Sequence, residues 1–122
     1  MQETIVIEHL VPTKWNWVVS YPKFFRLGDN TDIGCFTYIQ ARNGVWIEDD
    51  VQIGSHCSIY SDDTIGNRQG MVTIKRGACI GTHSTILPGV TIGEYLTIPA
   101  YSFIKKSILN DDELKEFLKG RK

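Results

Sequence analysis

An all-β chain wound as a parallel β-helix is what this sequence predicts, and three observations carry the prediction. Aliphatic residues recur every six positions: Leu27, Ile33 and Ile39, then Ile47, Ile53 and Ile59, then Ile74, Ile80, Ile86, Ile92, Ile98 and Ile104. Eleven of these twelve are Ile, out of fifteen Ile in the chain. The residue two places earlier is usually small or β-branched, as at Thr31, Thr37, Val45, Val51, Cys57, Val72, Ala78, Ser84, Val90 and Ser102. Gly follows the aliphatic residue at Gly28, Gly34, Gly54, Gly81 and Gly93. Strand side chains alternate between faces, so positions i−2 and i point the same way. Two inward residues every six positions read as a short strand, a turn and another short strand, repeated into about four coils.

The register assigns three sides. Side a carries Leu27, Ile47, Ile74 and Ile92; side b carries Ile33, Ile53, Ile80 and Ile98; side c carries Ile39, Ile59, Ile86 and Ile104. Two steps are not six: Ile39 to Ile47 is eight and Ile59 to Ile74 is fifteen. Both leave side c and return to side a, so the irregular segments share one corner. The longer one, 60–73, reads as an exposed excursion rich in Ser, Asp, Asn and Gly, and loops held by a rigid scaffold often carry function. The chain then divides into a cap segment (1–26), the β-helix with its excursion (27–107) and a helical end (108–122).

Each flank has its own signature. Residues 3–11 alternate weakly, and Trp15, Trp17, Tyr21, Phe24 and Phe25 form an aromatic cluster punctuated by Pro12 and Pro22. A solenoid needs a cover over its first coil, and this segment supplies one. At the other end Asn110 and Glu113 have capping-box spacing, Leu114, Phe117 and Leu118 make one apolar face, and Gly120 ends the helix. A helix this short is not stable alone, so its apolar face packs on the coils.

Composition narrows the function. With 13 basic and 14 acidic side chains in 122 residues, no electrostatic footprint for nucleic acid or an anionic membrane is visible. No apolar run approaches the ~18 residues of a membrane helix. Residues 1–10 lack the basic start of a signal peptide, and three Cys without metal-type spacing point to reduced thiols and a cytoplasmic protein. Flat sides built of short strands leave apolar surface that a closed cyclic assembly would bury.

Two histidines stand out by position. His56 follows Ile53 by three residues and His83 follows Ile80 by three, so both occupy one corner of side b in adjacent coils. Neighbouring strands lie ~4.8 Å apart, so these rings should stack, with Phe36 below and Tyr101 above. The same offset holds Asn30, Asp50, Gly77 and Gly89, residue types suited to a turn with positive φ.

The run from Ile80 through Gly93 (IGTHSTILPGVTIG) and its continuation from Ile98 through Lys106 (IPAYSFIKK) resemble the hexapeptide-repeat acyltransferase signature. The resemblance covers roughly residues 25–107. It implies a left-handed β-helix, a homotrimer, and transfer of an acetyl group from acetyl-CoA to a hydroxyl or amine of a sugar or nucleotide-linked sugar, as in surface polysaccharide synthesis. It further implies that CoA lies between subunits, with Gly81, Thr82 and Ala100 along the pantetheine arm and Lys105 and Lys106 toward the phosphates. His56, and second His83, would serve as the general base, and Asp62, Asp63 and Arg68 would bind or orient the acceptor. No metal is expected. Pro99, Tyr101 and Cys79 depart from the pattern. The branch with a catalytic His in the long loop has no counterpart, because no His lies between residues 57 and 82; Asp63 and Thr64 fall nearest that place. Two other readings share the fold. A zinc hydratase of the γ-carbonic anhydrase kind needs a third His beside His56 and His83, and His9 is the remaining one. The other is a non-catalytic structural subunit.

Overall fold

A computed structural model describes residues 5–120; residues 1–4 of the predicted cap and 121–122 of the predicted helical end lie outside the described residues. The chain is a parallel β-solenoid of about four turns with one short C-terminal helix, as the repeat predicted, and it has the left-handed form that the family resemblance implied.

Three parallel sheets correspond to the three predicted sides. Side a stacks Phe25–Leu27, Val45–Ile47, Val72–Ile74 and Thr91–Ile92. Side b stacks Asp32–Ile33, Gln52–Ile53, Cys79–Ile80 and Thr97–Ile98. Side c stacks Tyr38–Gln40, Ser58–Tyr60, Thr85–Ile86 and Phe103–Ile104. The pairing is the predicted one, Ile53 opposite Ile33 and Ile80, and Ile86 opposite Ile59 and Ile104. Ile39, Ile47, Ile59, Ile74, Ile86, Ile92, Ile98 and Ile104 are fully buried, with the small or β-branched i−2 residues between them. β-branched side chains suit this interior, because stiff rotamers fill a narrow prism without further loss of freedom.

Glycine after the aliphatic residue has a steric cause. A Cβ at Gly34 would strike the backbone of Gly54 and Ser55, and one at Gly81 the backbone of Pro99 and Ala100 in the following coil. The coils approach too closely there for any side chain.

The structure adds a strand to side c. Val18–Ser20 pairs in parallel with Tyr38–Gln40, and buried Val19 extends the column of Ile39. Part of the cap segment is therefore the first layer of the solenoid. Val19 precedes Ile39 by twenty residues, as Ile39 precedes Ile59, so the signal was present in the spacing. At the far end Ile108 bridges Ile92 and starts a fifth layer on side a. The helix Asp111–Lys119 follows, with the Asn110 side chain accepting from the N–H of Glu113 at 2.9 Å. Glu113 accepts in return from the N–H of Leu109, one residue before the cap. Leu114 and Phe117 lie against the core, while Leu118 stays exposed.

The excursion is an ordered antiparallel hairpin, Asp62–Asp63 with Arg68–Gln69, and the outgoing side of its base is buried. The sequence suggested exposure along the whole segment. Instead Ser61 and Asp62 are buried, while the tip, where Ile65 is 99% exposed, and Gln69 and Met71 on the return are exposed.

Candidate active site

The corner between sides b and c is built by a repeated backbone device. Phe36, His56, His83 and Tyr101 have φ of 65°, 57°, 59° and 60°. Their amides bond one coil back: His56 N–H to Cys35 O at 3.0 Å, His83 N–H to Ser55 O at 3.0 Å, and Tyr101 N–H to Thr82 O at 2.9 Å. Identical backbone at identical offsets sets the rings in register. His56 and His83 stack with centroids 4.7 Å apart and planes 2° from parallel. Tyr101 stacks on His83 at 4.8 Å and Phe36 packs tilted on His56 at 5.2 Å. All four side chains are exposed. The corner between sides a and b uses the same left-handed turn at Asn30, Asp50, Gly77 and Tyr95. The turn therefore explains the backbone; the aligned, solvent-facing pair of imidazoles is what distinguishes this corner.

Beside the ladder, a groove of about 420 Å³ runs along side b, walled by Gly54, Cys79, Gly81, Thr82, Pro99 and Ala100. Beneath it lies a column of small polar residues. The Thr37 hydroxyl donates to Gly54 O at 2.8 Å, the Cys57 thiol to Gly81 O at 3.3 Å, and the Ser102 hydroxyl to Pro99 O at 2.6 Å. The Gly81 N–H donates to Ile98 O at 2.8 Å. Both backbone groups of Gly81 are thus engaged within the fold, and its contribution to the groove is the shape left by a missing side chain. Burial pushes the Cys57 thiol up, against the smaller pull of hydrogen bonds from Ser84, His83 and Thr37. A thiol kept protonated there is structural and not a nucleophile.

Side c separates this corner from the other predicted groups. Lys105 and Lys106 are exposed at its opposite edge, beside a groove of about 390 Å³ shared with Phe103, Glu113, Glu116 and Phe117. Arg68 also lies at that edge, where its guanidinium donates to Pro88 O at 2.8 Å and to Lys105 O. Arg68 ties two coils to the hairpin. Asp63 Oδ1 accepts from the Gly66 N–H at 3.1 Å and shapes the hairpin turn. Asp62 is 5% exposed and forms an ion pair with Arg42 at 3.6 Å. Arg42 in turn lies over Tyr21, 5.9 Å from the ring centroid.

Arg42, the ion-pair partner of Asp62, was not singled out from the sequence. Arg42 follows Ile39 by three residues and Asp62 follows Ile59 by three, so the rule that stacks His56 on His83 also pairs these two. The zinc reading finds no ligand set within one chain: His9 accepts from the Tyr21 N–H at 2.9 Å in the cap, and no group of three or more metal-ligating side chains forms among the described residues.

No family model matches the chain, and no curated protein matches it. Solved structures do. The N-acyltransferase AntD from Bacillus cereus, in complex with dTDP and 3-hydroxybutyryl-CoA, superposes with a TM-score of 0.66 at 25% identity over 80% of this chain and 70% of that one. A serine-to-alanine variant of AntD, with dTDP-4-amino-4,6-dideoxyglucose and coenzyme A, gives 0.62 at 23% identity over 95% and 91%. The class defined by fold and corner is a β-solenoid with an exposed imidazole pair beside a side-b groove. AntD, an acyltransferase, shares the solenoid.

Proposed function

We propose that this protein transfers an acyl group from an acyl-CoA, acetyl-CoA in the first instance, to a hydroxyl or amine of a nucleotide-linked sugar. The observation that carries the reading is the exposed His56–His83 stack against the side-b groove, in a fold shared with an acyltransferase that binds acyl-CoA and dTDP. The assembly in this reading is a cytoplasmic homotrimer with acetyl-CoA between subunits, and the acetylated sugar serves surface polysaccharide synthesis. The pantetheine arm runs past Gly81, Thr82 and Ala100, and Lys105 and Lys106 meet the phosphates. Since the lysines stand across side c from the imidazoles within one chain, the lysines and imidazoles that meet one acetyl-CoA in this reading come from neighbouring subunits.

The acceptor's O–H or N–H proton passes to the His56 imidazole as the oxygen or nitrogen bonds to the thioester carbonyl. The C–S bond then breaks, and the departing sulfur takes a proton to give the CoA thiol. His56 is the first choice as base because it lies one coil nearer the N-terminal end, away from the lysines. His83, stacked on it, orients it and borders the thioester.

The test is steady-state kinetics with acetyl-CoA and a nucleotide amino sugar. His56→Ala should lower kcat by about 10²-fold or more with acetyl-CoA affinity nearly intact, while His83→Ala acts more on binding. Full activity in both variants would remove the pair from the chemistry. Loss confined to His83→Ala would reverse the two roles.

A further inference from the structure

Among the described residues, the carboxylate oxygens of Asp62 are the buried side-chain polar atoms without a hydrogen-bond partner. The side chain is 2% exposed, and its partner Arg42 sits at 3.6 Å with 59% exposure. A buried carboxylate needs hydrogen bonds as well as an opposite charge, and one loosely placed guanidinium leaves it under-satisfied. The segment around Asp62 is held on both sides. The Ser61 hydroxyl is fixed to Gln40 O at 2.8 Å, the Gly70 N–H to Ser61 O at 3.0 Å, and Arg68 pins the far strand of the hairpin to Pro88 and Lys105. Arg42 is the solvent-exposed partner of the pair.

We propose that Asp62 receives the amino group of a nucleotide-linked amino sugar, and that Arg42 turns to the same ligand's phosphates. The inference rests on the acyltransferase reading and deepens it, since the acceptor is then an amine and the product an amide. A ligand with a cation on its sugar and anions on its nucleotide replaces both halves of the Arg42–Asp62 pair at once. Neither the buried carboxylate nor the exposed guanidinium is left alone during the exchange. A hydroxyl sugar offers Asp62 a neutral donor and provides no such exchange. In the transfer the bound ammonium loses two protons: one goes to the imidazole and then to solvent, the other ends on the CoA thiol as the C–S bond breaks. Strand Ser58–Tyr60 separates Asp62 from the His56 corner within one chain, so the two serve one acceptor only across a subunit boundary.

The test is calorimetric titration of the wild type, Asp62→Asn and Arg42→Gln with dTDP-4-amino-4,6-dideoxyglucose, with its 4-hydroxy counterpart dTDP-6-deoxyglucose, and with acetyl-CoA. The wild type should bind the amino sugar about tenfold or more tightly than the hydroxy sugar. Asp62→Asn should abolish that preference and leave the hydroxy sugar within about twofold, and Arg42→Gln should weaken both. Equal affinities in the wild type overturn the proposal even if Asp62→Asn fails to fold; so does an Asp62→Asn protein that keeps the preference. A wild type that binds acetyl-CoA but neither sugar nucleotide overturns the Asp62 assignment and leaves the acyl-CoA reading. Amine preference through Asp62 without acetyl-CoA binding has the opposite consequence.

Discussion

Cys57 and Cys35 are 22 positions apart in sequence and lie on adjacent coils, yet their chemistry differs by environment alone. Cys57 is buried under the corner and donates to a carbonyl; Cys35 is exposed. Burial disfavours the thiolate, so the Cys57 pKa is raised in the folded state. A raised folded value leaves stability intact below the unfolded pKa and removes it as pH climbs. The contribution of Cys57 to stability should therefore be flat up to about pH 8.5 and fall above it, where the unfolded chain releases the proton first. In the native protein at neutral pH, a thiol reagent should modify Cys35 in preference to Cys57, and Cys57 should react on unfolding. Mass spectrometry of labelled peptides checks this, and early Cys57 labelling would contradict the inward assignment.

At the scale of elements, the hairpin Asp62–Asp63 with Arg68–Gln69 shows how a non-repeating segment is held by a repeating one. Arg68 is half-buried and reaches the carbonyls of two successive coils. Hydrogen bonds from a charged donor contribute about 1.5–3 kcal/mol each at most. Arg68→Met keeps the aliphatic stem and removes these donors. It should loosen the hairpin without melting the coils. Hydrogen exchange should then accelerate at the Gly70 amide, bonded to Ser61 O, while strand Thr85–Ile86 keeps its protection. Uniform acceleration in both places would mean that Arg68 supports the whole solenoid. The C-terminal helix is a second attached element, held by the Asn110 cap and by Leu114 and Phe117 against the core.

For the whole molecule, the decisive feature is that the candidate groups stand on opposite edges of side c. The imidazole ladder lies at one edge; Asp62, Arg42 and the lysines lie at the other. A closed ring of three chains brings unlike edges together, and the proposed site is complete only in such a ring. Light scattering at micromolar concentration should give three times the mass of the 13.8 kDa chain. Mixed assemblies of His56→Ala and Asp62→Asn chains should regain part of the activity that each variant lacks, because some boundaries then carry both intact groups. Absence of rescue in verified mixed trimers would place both groups within one subunit's site or outside the site altogether.

What the sequence by itself determined is everything that follows from period six. The three sides, their register, the stacked Ile columns, the glycines of close approach and the His56–His83 ladder all repeat at fixed offsets, and a repeat converts spacing directly into contact. The Asn110 cap was equally legible, since a cap is a local device. Val19 and the Arg42–Asp62 pair obeyed the same offsets and were readable there too. Only the tertiary structure decided the rest. The burial of Asp62, the hairpin, and the reach of Arg68 to Pro88 and Lys105 all involve the irregular corner. There the chain leaves its period, and which segments meet depends on packing between distant residues that no local spacing encodes.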